Sequence, residues 1–256
     1  MRLDTLFPLT PVLDRVRRVS TVAIDLETSA STSPVTIVPL EEENLLEAAR
    51  VLAEAFATEA FTDATFDVRD DRVEDALERV VEIRLRAHLE ASQPVFVAMT
   101  DGAVVGVAVV DRPGFTTSRL RILQLLAPHP LTVVRLLRRI DWAGSYHVGR
   151  TVTPPDVLPP AHYTLEAIGV DPVAQGAGVG RSLLEAVHNL VECDIGASGS
   201  YLVTADEPNR CLYERFGYET VATKRANDLT AYHMFRPNGT DPHSDCTWPR
   251  EGPHHV

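Results

Sequence analysis

Ile168-Gly169-Val170-Asp171-Pro172-Val173-Ala174-Gln175-Gly176-Ala177-Gly178-Val179-Gly180-Arg181 is the stretch whose reading decides the fold of this chain. The apolar run Tyr163–Val170 reads as a strand, and a turn containing Pro172 stops it. Three glycines at alternate positions, Gly176, Gly178 and Gly180, then open a helix over Val179–Val191. Leu183, Leu184, Val187, Leu190 and Val191 form its apolar stripe. Glycines at a helix start remove side chains, so an anion can approach the backbone where first-turn N–H groups are unsatisfied and the helix dipole is positive. A pyrophosphate fits such a cradle. The alternative is a tight turn that needs glycine for backbone reasons alone.

Two common phosphate motifs fail on these residues. No Lys-Ser/Thr pair follows Gly180, so the P-loop pattern is absent. The dinucleotide pattern G-x-G-x-x-G meets Arg181 when begun at Gly176 and Leu183 when begun at Gly178.

Outward from this segment, strands and helices alternate. Val35–Leu40 reads as a short strand, and Glu41-Glu42-Glu43 opens a helix to about Phe56, the acids suiting its first turn. Asp70–Glu90 reads as a second helix, with Val73, Leu77, Val80, Ile83 (or the stem of Arg84) and Leu89 near one face. Pro94–Met99 and Ala103–Val110 are strands joined by the hairpin signal Asp101-Gly102. Phe115–Ile140 reads as helix in two pieces broken at Pro128 and Pro130, and Gly144–Pro160 as a proline-rich loop. After the glycine segment come a strand at Tyr201–Thr204 and a short helix over Asn209–Phe216 stopped by Gly217. Tyr218–Lys224 and Thr230–Phe235 read as a closing strand pair. Hairpins mixed with β-α-β crossovers imply an α+β domain with a mixed sheet and helices on both faces.

Residues 1–33 read as an extension, with Thr28–Ser33 a linker of small residues, and 237–256 as a disordered tail poor in apolar residues. The domain is expected over 34–236, with about 111–160 an inserted helical and loop region. With 36 acidic against 24 basic residues and a net charge of -12, the chain lacks the basic surface that nucleic acid needs, while a cationic substrate suits it. No apolar run approaches the roughly 20 residues that cross a bilayer, and the N-terminus has no clean apolar signal stretch, so a cytoplasmic location without membrane attachment is expected. Cys193, Cys211 and Cys246 are widely spaced, with no CxxC pair, which suggests neither a disulfide framework nor a metal site. Asn238-Gly239-Thr240 fits a glycosylation sequon, read as a chance match.

Gln175, Gly178 and Gly180 match Q/R-x-x-G-x-G/A, the acetyl-CoA signature of the GNAT superfamily. The likeness extends over LEAIGVDPVAQGAGVGRSLLEAV, Leu165–Val187, and recurs in EPNRCLYERFGYE, Glu207–Glu219. Two motifs in the right order, about 30 residues apart, carry a resemblance that spans roughly Pro34–Arg236. The layout is similar to puromycin-type N-acetyltransferases. The resemblance implies a mixed, mostly antiparallel sheet with helices on both faces, acetyl-CoA as acyl donor, and an amine acceptor.

By the same resemblance, the backbone of Ile168, Gly169 and Val170 would pair with the pantetheine arm, and Gln175, Gly176, Ala177, Gly178, Val179, Gly180 and Arg181 would hold the pyrophosphate. Arg181 reads equally as a solvated helix residue. Tyr213 would be the general acid, since a phenol with a pKa near ~10 keeps its proton at neutrality; the other reading is a core aromatic beside Leu212 and Phe216. Asn209 would hydrogen-bond the cofactor arm or cap its helix. Glu166 would accept the amine proton, or be an exposed strand residue; His162 and Glu59 are further candidates. The acceptor is expected to be a primary amine of a small molecule. A protein lysine or N-terminus, and a non-catalytic acyl-CoA-binding regulator, remain as alternatives. Members of the superfamily often form homodimers.

Overall fold

The computed structural model describes residues 34–57, 61, 73–115 and 142–239. The expected extension 1–33, nearly all of the expected helix pair at Phe115–Ile140, Glu59, and the tail beyond 239 lie outside these residues.

The described residues begin with strand β1 (Thr36–Pro39), a 3-10 turn (Glu42–Asn44) and helix α1 (Leu45–Phe56). Helix α2 is Val73–Glu90. Strands β2 (Val95–Thr100) and β3 (Ala103–Asp111) form a hairpin whose turn places both Asp101 and Gly102 at positive φ, as a two-residue turn of that hand requires. Helix α3 (Trp142–Thr151) precedes β4 (His162–Val170), and α4 (Val179–Glu192) follows it. Strand β5 (Gly199–Thr204), helix α5 (Glu207–Arg215) and the hairpin β6 (Glu219–Ala226) and β7 (Leu229–Pro237) complete the described chain.

One seven-stranded sheet has the order β1-β2-β3-β4-β5-β7-β6. Every neighbouring pair is antiparallel except β4 and β5, which run parallel because α4 carries the chain back across the sheet between them. This is the mixed, mostly antiparallel α+β architecture that the sequence implied. Helices α1 and α2 cover one face through Leu45, Leu52, Leu77, Val81 and Leu85, packed on Val97, Val107, Val109 and Ala167. Farther along that face, α3 places Val148 and Val152 on Tyr201, Val203, Ala231 and Phe235. The opposite face packs Phe96, Ala108, Leu165, Ile168 and Leu202 against Leu183, Leu184 and Val187 of α4 and Leu212 and Tyr213 of α5.

Three local readings shift. The expected loop Gly144–Pro160 is helical as far as Thr151; the helix ends before Pro154-Pro155, whose first proline disfavours helix at Thr153. Its C-terminal carbonyls find side chains from the sheet: Lys224 Nζ donates to Thr153 O at 2.6 Å and His233 Nε2 to Thr151 O at 2.7 Å. In α2 the expected Leu77 and Val80 are buried, joined by Val81, Leu85 and His88, while Ile83 is only half-buried and Arg84 turns toward the sheet. Cys193, at the end of α4, is disulfide-bonded, which its spacing did not suggest; Cys211 is free and exposed.

Candidate active site

The site is built on a strand seam that opens. Strands β4 and β5 pair only over His162–Thr164 against Gly199–Tyr201. Beyond Thr164, β4 continues to Val170 bonded to β3 on one edge only, with Ile168 opposite Ala108 and Val170 opposite Gly106. The next residue, Asp171, donates its N–H to Val105 O at 2.9 Å. Alternation along an antiparallel ladder therefore turns the backbone of Gly169 toward β3 and that of Ile168 and Val170 toward the open seam. Of the three residues expected to offer backbone to a ligand, Ile168 and Val170 face the opening. Gly169 serves packing: a Cβ there would meet Ala55 Cβ at 2.8 Å and Leu52 Cδ2 at 3.0 Å, so its missing side chain lets α1 lie against the sheet.

The β4 end leads straight into the glycine segment. Asp171 Oδ1 accepts from Val173 N at 2.9 Å and shapes a 3-10 turn, Pro172–Ala174. Gln175 then turns its side-chain amide back to Val170 O at 3.5 Å. Gly176 and Gly178 follow at φ 80 and 82, conformations that a side chain disfavours. Gly178 caps α4 with no side-chain hydrogen bond, and a Cβ on it would meet nothing within 4 Å. The first intrahelical bond recorded runs from Ser182 N to Gly178 O at 3.1 Å, so the amides of Val179, Gly180 and Arg181 belong to the unsatisfied first turn. Both readings of the glycines thus hold together: the backbone needs them, and the space they leave is the cradle of an anion site. The donor set fits a pyrophosphate. Arg181 is exposed and lies over the Phe216 ring at 5.8 Å, joining the start of α4 to the end of α5.

Glu166 sits at a defect of the sheet. Val109 pairs with Ala167 and Val110 with Leu165, so Glu166 is the extra residue of a β-bulge. A bulge re-aims a side chain, and here Oε2 meets Arg84 Nη2 of α2 at 2.5 Å, with Glu166 buried rather than exposed. One turn along α2, His88 Nε2 lies 2.9 Å from Asp111 Oδ1. His162 Nδ1 donates to Pro159 O, 2.6 Å away, and the ring lies edge-on to Tyr201.

Helix α5 starts where β5 ends, beyond the seam. Its cap position is Asp206, so Asn209 lies inside the first turn and does not act as the N-cap. Asn209 is 4% exposed, and its side-chain amide makes no hydrogen bond among the described residues. Tyr213 is buried one turn later, edge-on to Tyr218 with ring centroids 5.6 Å apart. Tyr218 is wholly inside: Ser200 Oγ donates to its hydroxyl at 2.9 Å, and His188 Nε2 lies 3.3 Å away. Burial pushes the Tyr218 phenol up to about 12 and the His188 imidazole down to about 3.

Sequence reasoning reached the loop, Tyr213, Asn209 and Glu166, but not Arg84, His88, Asp111, Tyr201 or His233. Their only local signal is the i, i+4 spacing of Arg84 and His88, which many solvated helices share.

Residues 140–220 match the family profile described as an acetyltransferase (GNAT) domain. The N-alpha-acetyltransferase RimI of Mycobacterium tuberculosis (strain ATCC 25618 / H37Rv) is 32% identical over 104 residues, 39% of this chain and 60% of that protein. The chain thus spans about 60% of the length of this curated relative. Among solved structures, one described as histone acetyltransferase HPA2 and related acetyltransferase, from Corynebacterium glutamicum ATCC 13032, has a TM-score of 0.59 at 20% identity, covering 81% of this chain and 98% of that one. The C-terminal condensation domain of Ebony, solved with beta-alanyl-dopamine, has a TM-score of 0.53 at 10% identity over 80% of this chain and 99% of that one. At these identities the two structures speak for the fold alone. Over residues 140–220, which include the opened seam and the glycine cradle, the chain is therefore similar to the GNAT acetyltransferases.

Proposed function

We propose that this protein transfers an acetyl group from acetyl-CoA to a primary amine of a small molecule. The observation that carries the reading is the continuity between the open seam, where Ile168 and Val170 present backbone groups, and the anion cradle of Gly176–Arg181 at the start of α4. Acetyl-CoA supplies a thioester, whose pyrophosphate suits the first-turn amides of α4 and whose amide-bearing arm suits a strand edge. Asn209, buried without a partner among the described residues, is a donor for that arm.

Acyl transfer to an amine needs the amine neutral and the departing thiolate protonated. We assign the first task to Glu166, whose carboxylate is brought into the fold by the β4 bulge, and the second to Tyr213 on α5. Glu166 accepts a proton from the amine nitrogen as the new C–N bond forms; the Tyr213 hydroxyl gives its proton to the thiolate sulfur as the C–S bond breaks. The acidic balance of the chain favours a cationic acceptor.

One observation favours a second reading, acetylation of a protein N-terminus: the relative with 32% identity is named for N-alpha-acetylation. Isothermal titration with acetyl-CoA and CoA, followed by thiol release with a panel of spermidine, phenethylamine and a peptide with a free N-terminal alanine, separates the readings. Turnover of the amines alone supports the first, turnover of the peptide alone the second. A folded protein that binds neither form of CoA overturns both.

A further inference from the structure

Helix α2 crosses the sheet at the β4 bulge and carries two polar side chains, Arg84 and His88, one turn apart. Arg84 Nη2 lies 2.5 Å from Glu166 Oε2, and His88 Nε2 lies 2.9 Å from Asp111 Oδ1. The two acids stand on neighbouring strands and flank the break in register, since Asp111 pairs with Thr164 and Val110 with Leu165. His88 Nδ1 lies 2.9 Å from the Arg84 carbonyl oxygen. A carbonyl only accepts, so Nδ1 carries a hydrogen and donates it. The imidazole therefore ties the helix turn that bears Arg84 to the end of β3.

Attachment of α2 does not call for these polar contacts. Leu77, Val81 and Leu85 already bury the helix against the sheet. A buried ion pair is often no more stabilising than apolar residues of the same shape, so its presence beside a bulge that re-aims Glu166 is better explained by orientation than by stability. Glu166 is also two residues from Ile168, the first seam-facing backbone position.

We propose that Arg84 is a positioning residue: it holds the Glu166 carboxylate in the orientation that meets the acceptor amine, and the His88–Asp111 pair holds the turn of α2 from which Arg84 reaches. This rests on the acyl-transfer reading above and adds to it residues from a different part of the chain. The planar guanidinium meets the carboxylate through Nη2 from a fixed direction, and a lysine ammonium supplies the charge with less control of direction.

The test compares the full chain with Arg84→Lys, Arg84→Met, Glu166→Gln and the double variant R84M/E166Q. Each is measured for thermal unfolding, for acetyl-CoA binding by calorimetry, and for steady-state thiol release with spermidine and with the alanine-terminated peptide. Arg84→Met is expected to lower kcat about 100-fold, the scale of a lost proton-transfer group, while the KM for acetyl-CoA stays unchanged. Arg84→Lys recovers part of that loss. The double variant is more stable than Arg84→Met, because no buried carboxylate is deprived of its guanidinium, and yet is no faster than either single variant. A double variant that regains the wild-type kcat, or an Arg84→Met protein whose kcat is intact, overturns the proposal. So does a wild-type chain that binds acetyl-CoA and turns over neither acceptor, since no amine proton is then transferred. Failure of the wild type to bind acetyl-CoA overturns the acyl-transfer reading itself.

Discussion

The Tyr201 hydroxyl lies 2.6 Å from Nδ1 of His233, and the two rings stack with 14° between their planes. The other ring nitrogen, Nε2, faces the carbonyl of Thr151 at 2.7 Å and must donate to it. Nδ1 then accepts from Tyr201, and the imidazole is neutral. Burial lowers His233 to about 4, against the partial support of the Thr151 carbonyl. This one side chain joins β5, β7 and the end of α3 beneath the face that α3 covers.

A pH dependence of stability follows from His233 together with His188, which burial lowers to about 3. An unfolded imidazole takes up its proton near pH ~6.5. Below that value the unfolded chain binds protons that the folded chain refuses, so stability is fully present above it and is lost as pH falls toward 4 and 3. Urea midpoints at neutral pH and in the acid window should show lower stability in acid. Replacing His233 by Gln should reduce the slope by about one proton.

Two glycines near the seam should respond in opposite ways. Gly169→Ala places a Cβ 2.8 Å from Ala55 Cβ, so it should cost about 1–3 kcal/mol of stability through overpacking of α1. Gly178→Ala meets no atom within 4 Å and should cost only the ~1–2 kcal/mol of a side chain in left-handed backbone. The second change should nevertheless weaken acetyl-CoA binding more than the first, because its methyl group enters the cradle. Denaturant curves and calorimetric titration of both variants distinguish the effects.

Asn238 closes the C-terminal end of α4. Its Nδ2 donates to the carbonyls of Val191, Asp194 and Ala197 at 3.0, 3.3 and 3.2 Å. Asn238→Ala leaves these acceptors short of a donor and should cost about 1–3 kcal/mol. It touches nothing at the seam, so acetyl-CoA affinity should not change.

Tyr213→Phe and Asn209→Ala test the far side of the seam. Loss of the phenol should lower kcat by about 100-fold with acetyl-CoA affinity retained, if Tyr213 protonates the thiolate. An unchanged kcat would return Tyr213 to the core packing it shares with Tyr218. Asn209→Ala should instead weaken acetyl-CoA binding with little effect on folding, since its amide makes no hydrogen bond among the described residues.

The sequence by itself determined the parts of this protein that are local. The strand into Val170, the turn at Pro172, the glycines and the apolar stripe of α4 all follow from backbone preference and a 3.6-residue period, and all lie within Tyr163–Val191. The hairpin at Asp101-Gly102 and the helix of Tyr213 were legible for the same reason. Helix α3 was not, because Gly144, Gly149 and the prolines after it argue for loop, and its stability comes from burying Val148 and Val152 on strands far along the chain. Only the tertiary structure decided that Gly169 serves packing, while Ile168 and Val170 face the seam; strand alternation is fixed by the register with β3, which the sequence of β4 does not contain. The same holds for Glu166, whose bulge depends on pairing with Val109 and Val110 and whose partner Arg84 lies 82 residues away. A side chain's chemistry is written in its own residue. The direction in which it points, and the charge it meets there, are set by segments that only folding brings together.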